Sequence, residues 1–486
     1  MNTTEISSKT GQWNFAQSYS NLPPVFYSSA QPAKSQSPEL LILNEDLAKL
    51  LGLDIEFLNS PLGISNLSGN ETPLGANPIA LAYAGHQFGG FTTLGDGRAI
   101  LIGEHQTRSG DVFDIQLKGS GPTAYSRGGD GLATLKSMLK EYLYSEAMHG
   151  LGIPTTRSLA LIKTEDTVRR ERLHPRAIVT RVALSHLRVG SFEFARRNDL
   201  DELTALADYA IDRHYPDLKI KDDRYSLLLE RVMERQARLI AQWMSVGFIH
   251  GVMNTDNVSI AGQTIDFGPC AFLDEYSVDK VFSSIDHHGR YAYGNQPNIT
   301  LWNLCRLAEC LIPLIEPNDP DQAVKKAEGI LGRYLEIYQD HWKELFSKKI
   351  GFPEPTEKSI ELINSLLRAM SEHNLDFTYT FRQLAKDSHH ELALSAWKIE
   401  WATELKNSGI DMDSAKKLML DTNPAVIPRS HIIDAAIDEV EFTNNLDTLK
   451  GILDVLKNPY SKELDQHILA LPRPKGLPPT ITYCGT

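Results

Sequence analysis

The 486-residue sequence predicts an α+β fold with two lobes, a β-rich lobe followed by a large helical one. Up to about residue 190, short apolar runs alternate with Gly-containing turns, and one helical stretch interrupts them. Beyond that point, long stretches with helical periodicity dominate. We therefore expect an arm over residues 1–75 that wraps the core, a β-rich lobe over 76–190 and a helical lobe over 191–486.

Charge and hydropathy exclude several classes of protein. Lys and Arg total 49 against 62 Asp and Glu, a net charge of −13, which argues against a nucleic-acid binder that relies on phosphate contacts. The first residues, MNTTEISSKTGQWNF, lack the features of a signal peptide, and no apolar run approaches the length of a membrane span. We expect a cytoplasmic protein without a nucleic-acid or membrane partner. The sequence says little about oligomeric state, and a monomer is the working expectation.

Individual elements of the first lobe follow from alternation and periodicity. Residues 90–120 are predicted as strands, because FTTLGDGRAILIGE has a strand–turn–strand pattern and DVFDIQLKGS that of a further strand. A helix is predicted over 132–150, ending at Gly150. Two more strands are expected over 155–163 and 176–184.

The second lobe contains a long amphipathic helix over 224–247, which leads into a polar loop, HGVMNTDN. The residues that follow, VSIAGQTIDFG, predict a small hairpin with Gly262 in its turn. Nearly everything beyond residue 300 is predicted helical, except for a tail, LPRPKGLPPTITYCGT, that is too rich in Pro to form a helix.

The most specific motif is this loop together with the Asp266-Phe267-Gly268 sequence after it. Protein-kinase-like enzymes place an Asn at the end of such a loop and an Asp on the next strand, where both hold Mg²⁺ against nucleotide phosphates. Asn257 and Asp266 occupy these positions, and oxygen ligands suit Mg²⁺ or Mn²⁺. The pattern predicts a protein-kinase-like two-lobed enzyme that binds ATP and a divalent metal.

One departure from the kinase pattern concerns the catalytic base. Kinases have His-Arg-Asp, with an Asn five residues after that Asp. Here His250-Gly251-Val252 stands in that place, and the Val252 side chain cannot accept a proton. Asp256, beside Asn257, is the remaining carboxylate of the loop. Either Asp256 acts as the base, or the reaction is not ordinary γ-phosphoryl transfer.

A lysine and a glutamate upstream complete the kinase-like set. Lys118 ends the strand DIQLK, and Glu141 lies on the predicted 132–150 helix. Kinases pair a strand Lys with a helix Glu so that the Lys reaches phosphate oxygens. We expect the two side chains to form an ion pair.

Glycines and arginines elsewhere in the first lobe suggest a phosphate cradle. The turn Gly95-Asp96-Gly97-Arg98 lets the backbone approach a phosphate and supplies a charged donor. The segment 128–131, which contains Asp130 and Gly131, is flexible enough to fold over a ligand. Arg181 and Arg188 can each bind phosphate through two N–H groups. An ordinary kinase has no evident need for these extra arginines.

With these residues in view, the chain resembles the selenoprotein O family, known in bacteria as YdiU. The resemblance covers nearly the whole chain and rests on GDGRAILIGE, on DIQLKGSGPTAYSRGGDG through LKEYLYSEAMHGLGIPTTRSLAL, on HGVMNTDN and on TIDFGP. It implies a pseudokinase fold that binds ATP in a flipped orientation. It also implies transfer of AMP to Ser, Thr or Tyr hydroxyls of proteins, or of UMP from UTP in some bacterial members.

The resemblance also implies roles for residues. Asp256 matches the proton acceptor, Asn257 and Asp266 match the metal ligands, and Glu141 matches the partner of the lysine. A flipped nucleotide would present its α-phosphate to the metal, and the arginines would bind the other phosphates. The positions that the family assigns to nucleotide binding are Gly95, Gly97, Arg98, Lys118, Asp130, Gly131, Arg181, Arg188 and Asp266.

Two cysteines raise the question of a redox role. Family members with selenocysteine carry it near the C-terminus, and Cys484 is third from the end here. A regulatory disulfide from Cys484 to Cys270 would tie the tail over the catalytic lobe. Two unrelated free thiols are the alternative.

Two other functions remain open at the level of sequence. One is a phosphotransferase of the small-molecule kinase type. The other is a nucleotide-binding pseudokinase scaffold without catalytic activity. The complete set of Lys118, Glu141, Asn257 and Asp266 argues against the scaffold.

Overall fold

The computed structural model describes residues 11–386 and 392–483. Within these ranges the chain has the predicted α+β, protein-kinase-like two-lobed fold, with an antiparallel sheet in the first lobe and helices in the second. The boundaries at residues 75 and 190 stay predictions.

The first lobe is built on one sheet, to which nine strands of the described residues contribute. Its main path runs β2-β4-β6-β7-β9-β8-β3, while β1 pairs with β6 and β5 pairs with β4. All of these pairings are antiparallel. The strands are β1 (Phe15–Ala16), β2 (Tyr27–Ser29), β3 (Glu39–Leu43), β4 (Ile79–Gln87), β5 (Gly90–Gly95), β6 (Ala99–Gln106), β7 (Val112–Lys118), β8 (Arg157–Arg169) and β9 (Leu173–Ala183).

The predicted strands are confirmed, but their pairing differs from simple chain order. β5 and β6 flank the Gly95–Arg98 turn without pairing with each other across it, because β5 pairs with β4 and β6 pairs chiefly with β7. β4 was not predicted: its sequence, IALAYAGHQ, is buried along most of its length and lacks the alternation of a half-exposed strand.

Residues of the N-terminal segment cover one face of this sheet. Three strands, β1 to β3, join the sheet itself, and three short helices pack on it. The helices are α1 (Glu45–Leu51), α2 (Ile55–Leu58) and α3 (Pro61–Ser68). Leu47 and Leu58 pack there in one apolar cluster with Ile115 and Leu117 of β7. This burial turns the alternate residues of β7, Asp114, Gln116 and Lys118, to the opposite face.

The predicted 132–150 helix is confirmed as α4 (Leu135–Gly150). The side chain of Thr134 caps its first turn by accepting a hydrogen bond from the Ser137 N–H. Leu139 and Leu143 bury the apolar side of α4 in the main core, and Glu141 projects toward β7.

The second lobe is helical, as predicted. Its central helix α7 ends at Gly247, whose φ of +74° closes the helix in the left-handed conformation. Among the described helices, none combines the length and apolar character needed to cross a membrane. The helices are α5 (Val189–Arg197), α6 (Leu200–His214), α7 (Arg224–Val246), α8 (Gln296–Ile315), α9 (Pro320–Leu331), α10 (Tyr334–Lys349), α11 (Glu357–Glu372), α12 (Phe377–Gln383), α13 (Ser395–Asn407), α14 (Met412–Thr422), α15 (Ser430–Thr443) and α16 (Asp447–Leu456).

The predicted hairpin over VSIAGQTIDFG is wrong. Gly262 does lie in a turn, but the two arms pair with other segments: Ser259 bridges Arg188, and Thr264 bridges Thr155. An isolated two-stranded ribbon is only marginally stable, and backbone groups of the first lobe are available as partners. The segment therefore joins the two lobes.

Candidate active site

A cavity of about 960 Å³ lies between the lobes, and the predicted nucleotide and metal residues line it. Its walls come from the β5–β6 turn, the end of β7, α4, β9, the loop after α7 and the segment around Asp266. The predicted residues on its surface are Gly95, Gly97, Arg98, Lys118, Asp130, Gly131, Glu141, Arg181, Arg188, Asp256, Asn257 and Asp266.

Lys118 stands between two carboxylates on the wall of this cavity. Its Nζ donates to Glu141 Oε1 at 2.9 Å and to Asp266 Oδ1 at 2.5 Å. The other Glu141 oxygen accepts the Phe267 N–H at 3.1 Å, so α4 also positions the segment that carries Asp266. The expected pairing of strand lysine and helix glutamate is therefore present.

Two arginines complete the charge cluster. Arg181 Nη1 donates to Asp266 Oδ1 at 2.7 Å and to Glu141 Oε1 at 3.2 Å. Arg188 Nη1 donates to Asp266 Oδ2 at 3.3 Å. Burial raises the pKa of Asp266, but the three cations together outweigh burial and hold it well below its usual range.

The guanidinium of Arg188 is fixed from several sides. It lies 4.4 Å from the centre of the Tyr83 ring and donates to the backbone oxygen of Asp256 at 2.9 Å. Its Nη2 lies 3.6 Å from Asp96 Oδ1. A cation held in this way is preorganised for a phosphate oxygen in the adjoining cavity.

Asp256 differs from the other carboxylates of the site. It lies in a short turn, Thr255–Asn257, and its buried Oδ1 makes no hydrogen bond in the structure. β4 passes so close that a Cβ on Gly85 would lie 2.4 Å from this oxygen. Burial raises the pKa of Asp256 to about 6. A carboxylate with that affinity for protons is suited to accept one from a hydroxyl group.

The predicted metal ligands fit a magnesium-type ion. Asn257 Nδ2 donates to the Val252 carbonyl at 3.0 Å, which leaves the amide oxygen as its ligating atom, and Asp266 offers carboxylate oxygens. The described residues contain no cluster of three or more His, Cys, Asp or Glu that could enclose a metal. Mg²⁺ is commonly held by one or two protein ligands together with substrate phosphates, so this sparse set is adequate.

The predicted cover segment is anchored to the sheet. Arg170 donates through both terminal nitrogens to the Asp130 carboxylate, at 2.8 and 3.1 Å. The neighbouring Gly131 has φ +65°, and a Cβ there would lie 2.2 Å from the Gly121 backbone. In this structure the Asp130 side chain binds Arg170. Position 131 requires a glycine because the backbone of Gly121 passes so close to it.

Two site residues were missed by sequence reasoning, Asp96 and Gln116. The Gln116 amide oxygen accepts from Arg181 Nε at 3.1 Å, and its nitrogen donates to Asp96 Oδ2 at 2.9 Å. The missed signal was the polar series Asp114, Gln116 and Lys118 at alternate positions of β7, opposite apolar residues that face the core.

Cys270 is buried, and burial raises the pKa of its thiol to about 12. Cys484 lies outside the described residues, so its pairing with Cys270 stays a prediction. The tail does reach this region: the Thr482 hydroxyl donates to the Pro269 carbonyl at 2.7 Å, next to Cys270.

The chain matches a family model and several full-length relatives. The family model described as protein adenylyltransferase SelO matches residues 9–457. The protein nucleotidyltransferase YdiU of Brevibacillus brevis is 50% identical, covering 98% of this chain and 98% of its own. The YdiU protein of Geobacillus kaustophilus is 49% identical over 98% of this chain and 99% of its own, and that of Clostridium perfringens strain SM101 is 47% identical over 100% of both.

Among solved structures, a Toxoplasma gondii virulence factor with a protein-kinase fold and no enzymatic activity aligns with 63% of this chain and 86% of its own. That alignment has a TM-score of 0.27 and 13% identity. The family match and the full-length relatives are decisive: the chain belongs to the SelO family, whose bacterial members carry the name YdiU.

Proposed function

We propose that the protein transfers AMP from ATP, or UMP from UTP, to Ser, Thr or Tyr hydroxyls of acceptor proteins. The observation that carries this proposal is the position of the Asp256 carboxylate. Val252 stands where a kinase has its base, whereas Asp256 lines the cavity and has a buried Oδ1 that makes no hydrogen bond. The names of the relatives, protein nucleotidyltransferases, support the same reaction class.

The reaction would be an in-line displacement at the α-phosphorus. The acceptor oxygen forms a bond to that phosphorus, the bond to pyrophosphate breaks, and the hydroxyl proton passes to Asp256. Pyrophosphate carries away the electron pair of the broken bond. The raised pKa of Asp256, about 6, suits a group that takes up this proton near neutral pH.

The cations of the site would orient and neutralise the phosphates. Lys118, Arg181 and Arg188 are buried, and they reach Asp266 from three directions. Phosphate oxygens would compete with Asp266 for these donors. The three cations could therefore bind a nucleotide in place of the Asp266 carboxylate without unfolding of the site. Mg²⁺ or Mn²⁺ held by Asn257 and Asp266 would supply further charge neutralisation when bound.

Intact-mass analysis tests the proposal. The purified protein is incubated with ATP and Mn²⁺, and in parallel with UTP and Mn²⁺, alone and with a mixture of acceptor proteins. The expected product carries the added mass of a nucleoside monophosphate, and the Asp256→Asn variant forms much less of it.

Parallel reactions with α-labelled and γ-labelled ATP distinguish the phosphotransferase. Label that reaches the product from the γ-position alone would overturn nucleotidyl transfer. Nucleotide binding without any labelled product would favour the scaffold.

A further inference from the structure

The tip of the β4–β5 hairpin has an unusual backbone for its sequence. Gln87 ends β4 and Gly90 begins β5, so Phe88 and Gly89 form a two-residue turn with φ of +51° and +89°. Turns with two positive φ values favour Asn-Gly or Gly-Gly, because most side chains are strained in the left-handed region. A phenylalanine at the first position is therefore an unfavourable choice for the turn itself.

This tip is attached to the loop that carries Asp256. The His86 N–H donates to Thr255 Oγ1 at 2.8 Å, and the Phe88 N–H donates to Asn254 Oδ1 at 3.1 Å. Thr255 in turn donates to buried Glu193 at 2.6 Å. The turn therefore holds Phe88 at a fixed place beside Asn254 and Thr255, the two residues before the proposed proton acceptor.

The ring of Phe88 lies outside the nucleotide cavity. Gln87 is among the residues that line the cavity, and Phe88 is not. The ring meets Tyr291, in the loop before α8, edge-on at 5.2 Å between centroids. Phe88 nevertheless remains 40% exposed. An apolar ring thus stands beside the loop that carries Asp256, partly covered by Tyr291 and partly in solvent.

The contact with Tyr291 covers only part of the Phe88 ring, so packing alone does not account for a phenylalanine in this strained turn. Backbone strain that the surrounding structure maintains is concentrated at functional sites. We propose that Phe88 contacts the acceptor protein, packing against an apolar side chain next to the hydroxyl that is modified. The inference rests on the proposed nucleotidyl transfer and names a residue that determines which acceptors are used.

The acceptor protein is the binding partner that best fits the position of Phe88. The nucleotide occupies the cavity that Gln87 lines, and the hydroxyl must approach Asp256 from outside it. A protein segment that brings a hydroxyl to Asp256 passes the hairpin tip, because the tip is hydrogen-bonded to the two residues before Asp256. Aromatic side chains with partial exposure commonly serve as contact points between proteins.

The test uses the full chain and two matched peptides that each carry one central tyrosine, flanked by leucine in one and by glutamine in the other. Wild type is expected to modify the leucine peptide with a kcat/KM about tenfold higher. Phe88→Asn is expected to lose this preference while the KM for ATP stays unchanged. Its melting temperature should not fall, because Asn-Gly suits the turn better than Phe-Gly.

Ile220→Asn serves as the control, since Ile220 is an exposed apolar residue outside the cavity lining, 87% accessible. It should retain the wild-type preference. Equal use of both peptides by wild type, or an unchanged preference in Phe88→Asn, would overturn the role of Phe88 while leaving nucleotidyl transfer intact. Absence of any nucleotide adduct on either peptide and on the wild-type protein would instead overturn the proposed function and this inference with it.

Discussion

Two buried lysines, one in each lobe, stand in opposite surroundings. Lys118 is 5% exposed and contacts the carboxylates of Glu141 and Asp266. Lys349, at the end of α10, is 2% exposed and lies near three aromatic rings. Its Nζ is 4.2 Å from the ring centre of Phe381, 5.3 Å from that of Phe377 and 6.0 Å from that of Phe346. Within the described ranges, no acidic side chain forms a salt bridge with Lys349.

The difference shows that burial of a charge does not by itself indicate function. Aromatic faces stabilise a cation only modestly, so burial lowers the pKa of Lys349 to about 7. Lys118 instead belongs to a network of opposite charges on the wall of an open cavity. A cavity, a buried carboxylate oxygen without a hydrogen bond and several converging donors together distinguish the site from a charge buried in a core.

The largest expected effect concerns the carboxylate beside the Lys118 network. Asp256→Asn should reduce nucleotidyl transfer about 10³- to 10⁴-fold, because the amide cannot accept the hydroxyl proton. The melting temperature should not fall, since Oδ1 of Asp256 makes no hydrogen bond that the substitution would break. Single-turnover mass spectrometry and thermal unfolding measure both quantities. Full activity in this variant would contradict the role of Asp256.

The next effect tests Lys118 itself. Lys118→Met should lower kcat/KM about 10³-fold, since a cation that neutralises the phosphates is lost. The fold should persist, because Arg181 still contacts both Glu141 and Asp266. The matched control is Lys349→Met, which should retain wild-type kcat/KM. An equal loss of activity in both variants would contradict the claim that Lys118 acts in the reaction and Lys349 does not.

The third effect is on stability and its dependence on pH. From pH 7 up to the ordinary lysine value of 10.5, folded Lys349 is largely neutral while the unfolded chain still binds the proton. The free energy of unfolding of wild type should therefore rise with pH across this window, relative to Lys349→Met, by up to roughly 5 kcal/mol. Chemical denaturation of both proteins at several pH values measures this difference. Parallel pH profiles would show that Lys349 keeps its proton in the folded chain.

The smallest effect concerns Gln116, which supports the site without lining the cavity. Gln116→Leu removes the acceptor of two Arg181 hydrogen bonds and the donor to Asp96. We expect a loss of roughly 1–2 kcal/mol in stability and about a tenfold fall in kcat/KM. Gln116→Glu preserves the acceptor for Arg181 but places a second carboxylate beside Asp96, so it should recover activity only in part. Wild-type kinetics in Gln116→Leu would limit this residue to a structural role.

The sequence by itself determined the two lobes, the long helices and most strands of the sheet. It also indicated the residues that gather in the cavity, including the pairing of Lys118 with Glu141. These features follow from periodicity and from motif spacing, which act over short distances along the chain. The Asp256 position could be noticed because Val252 replaces the usual carboxylate two residues after His250.

Only the tertiary structure decided how each charge is surrounded. Lys118 and Asp266 are 148 residues apart, and Arg181 and Gln116 are 65 apart, so no local pattern shows their contact. The false hairpin has the same origin, because Ser259 and Thr264 pair with Arg188 and Thr155, which lie far away along the chain. The alternation of a strand indicates that a polar side chain needs a hydrogen-bonding partner. The burial, pKa and hydrogen bonds of that side chain depend on which distant segments fold against it.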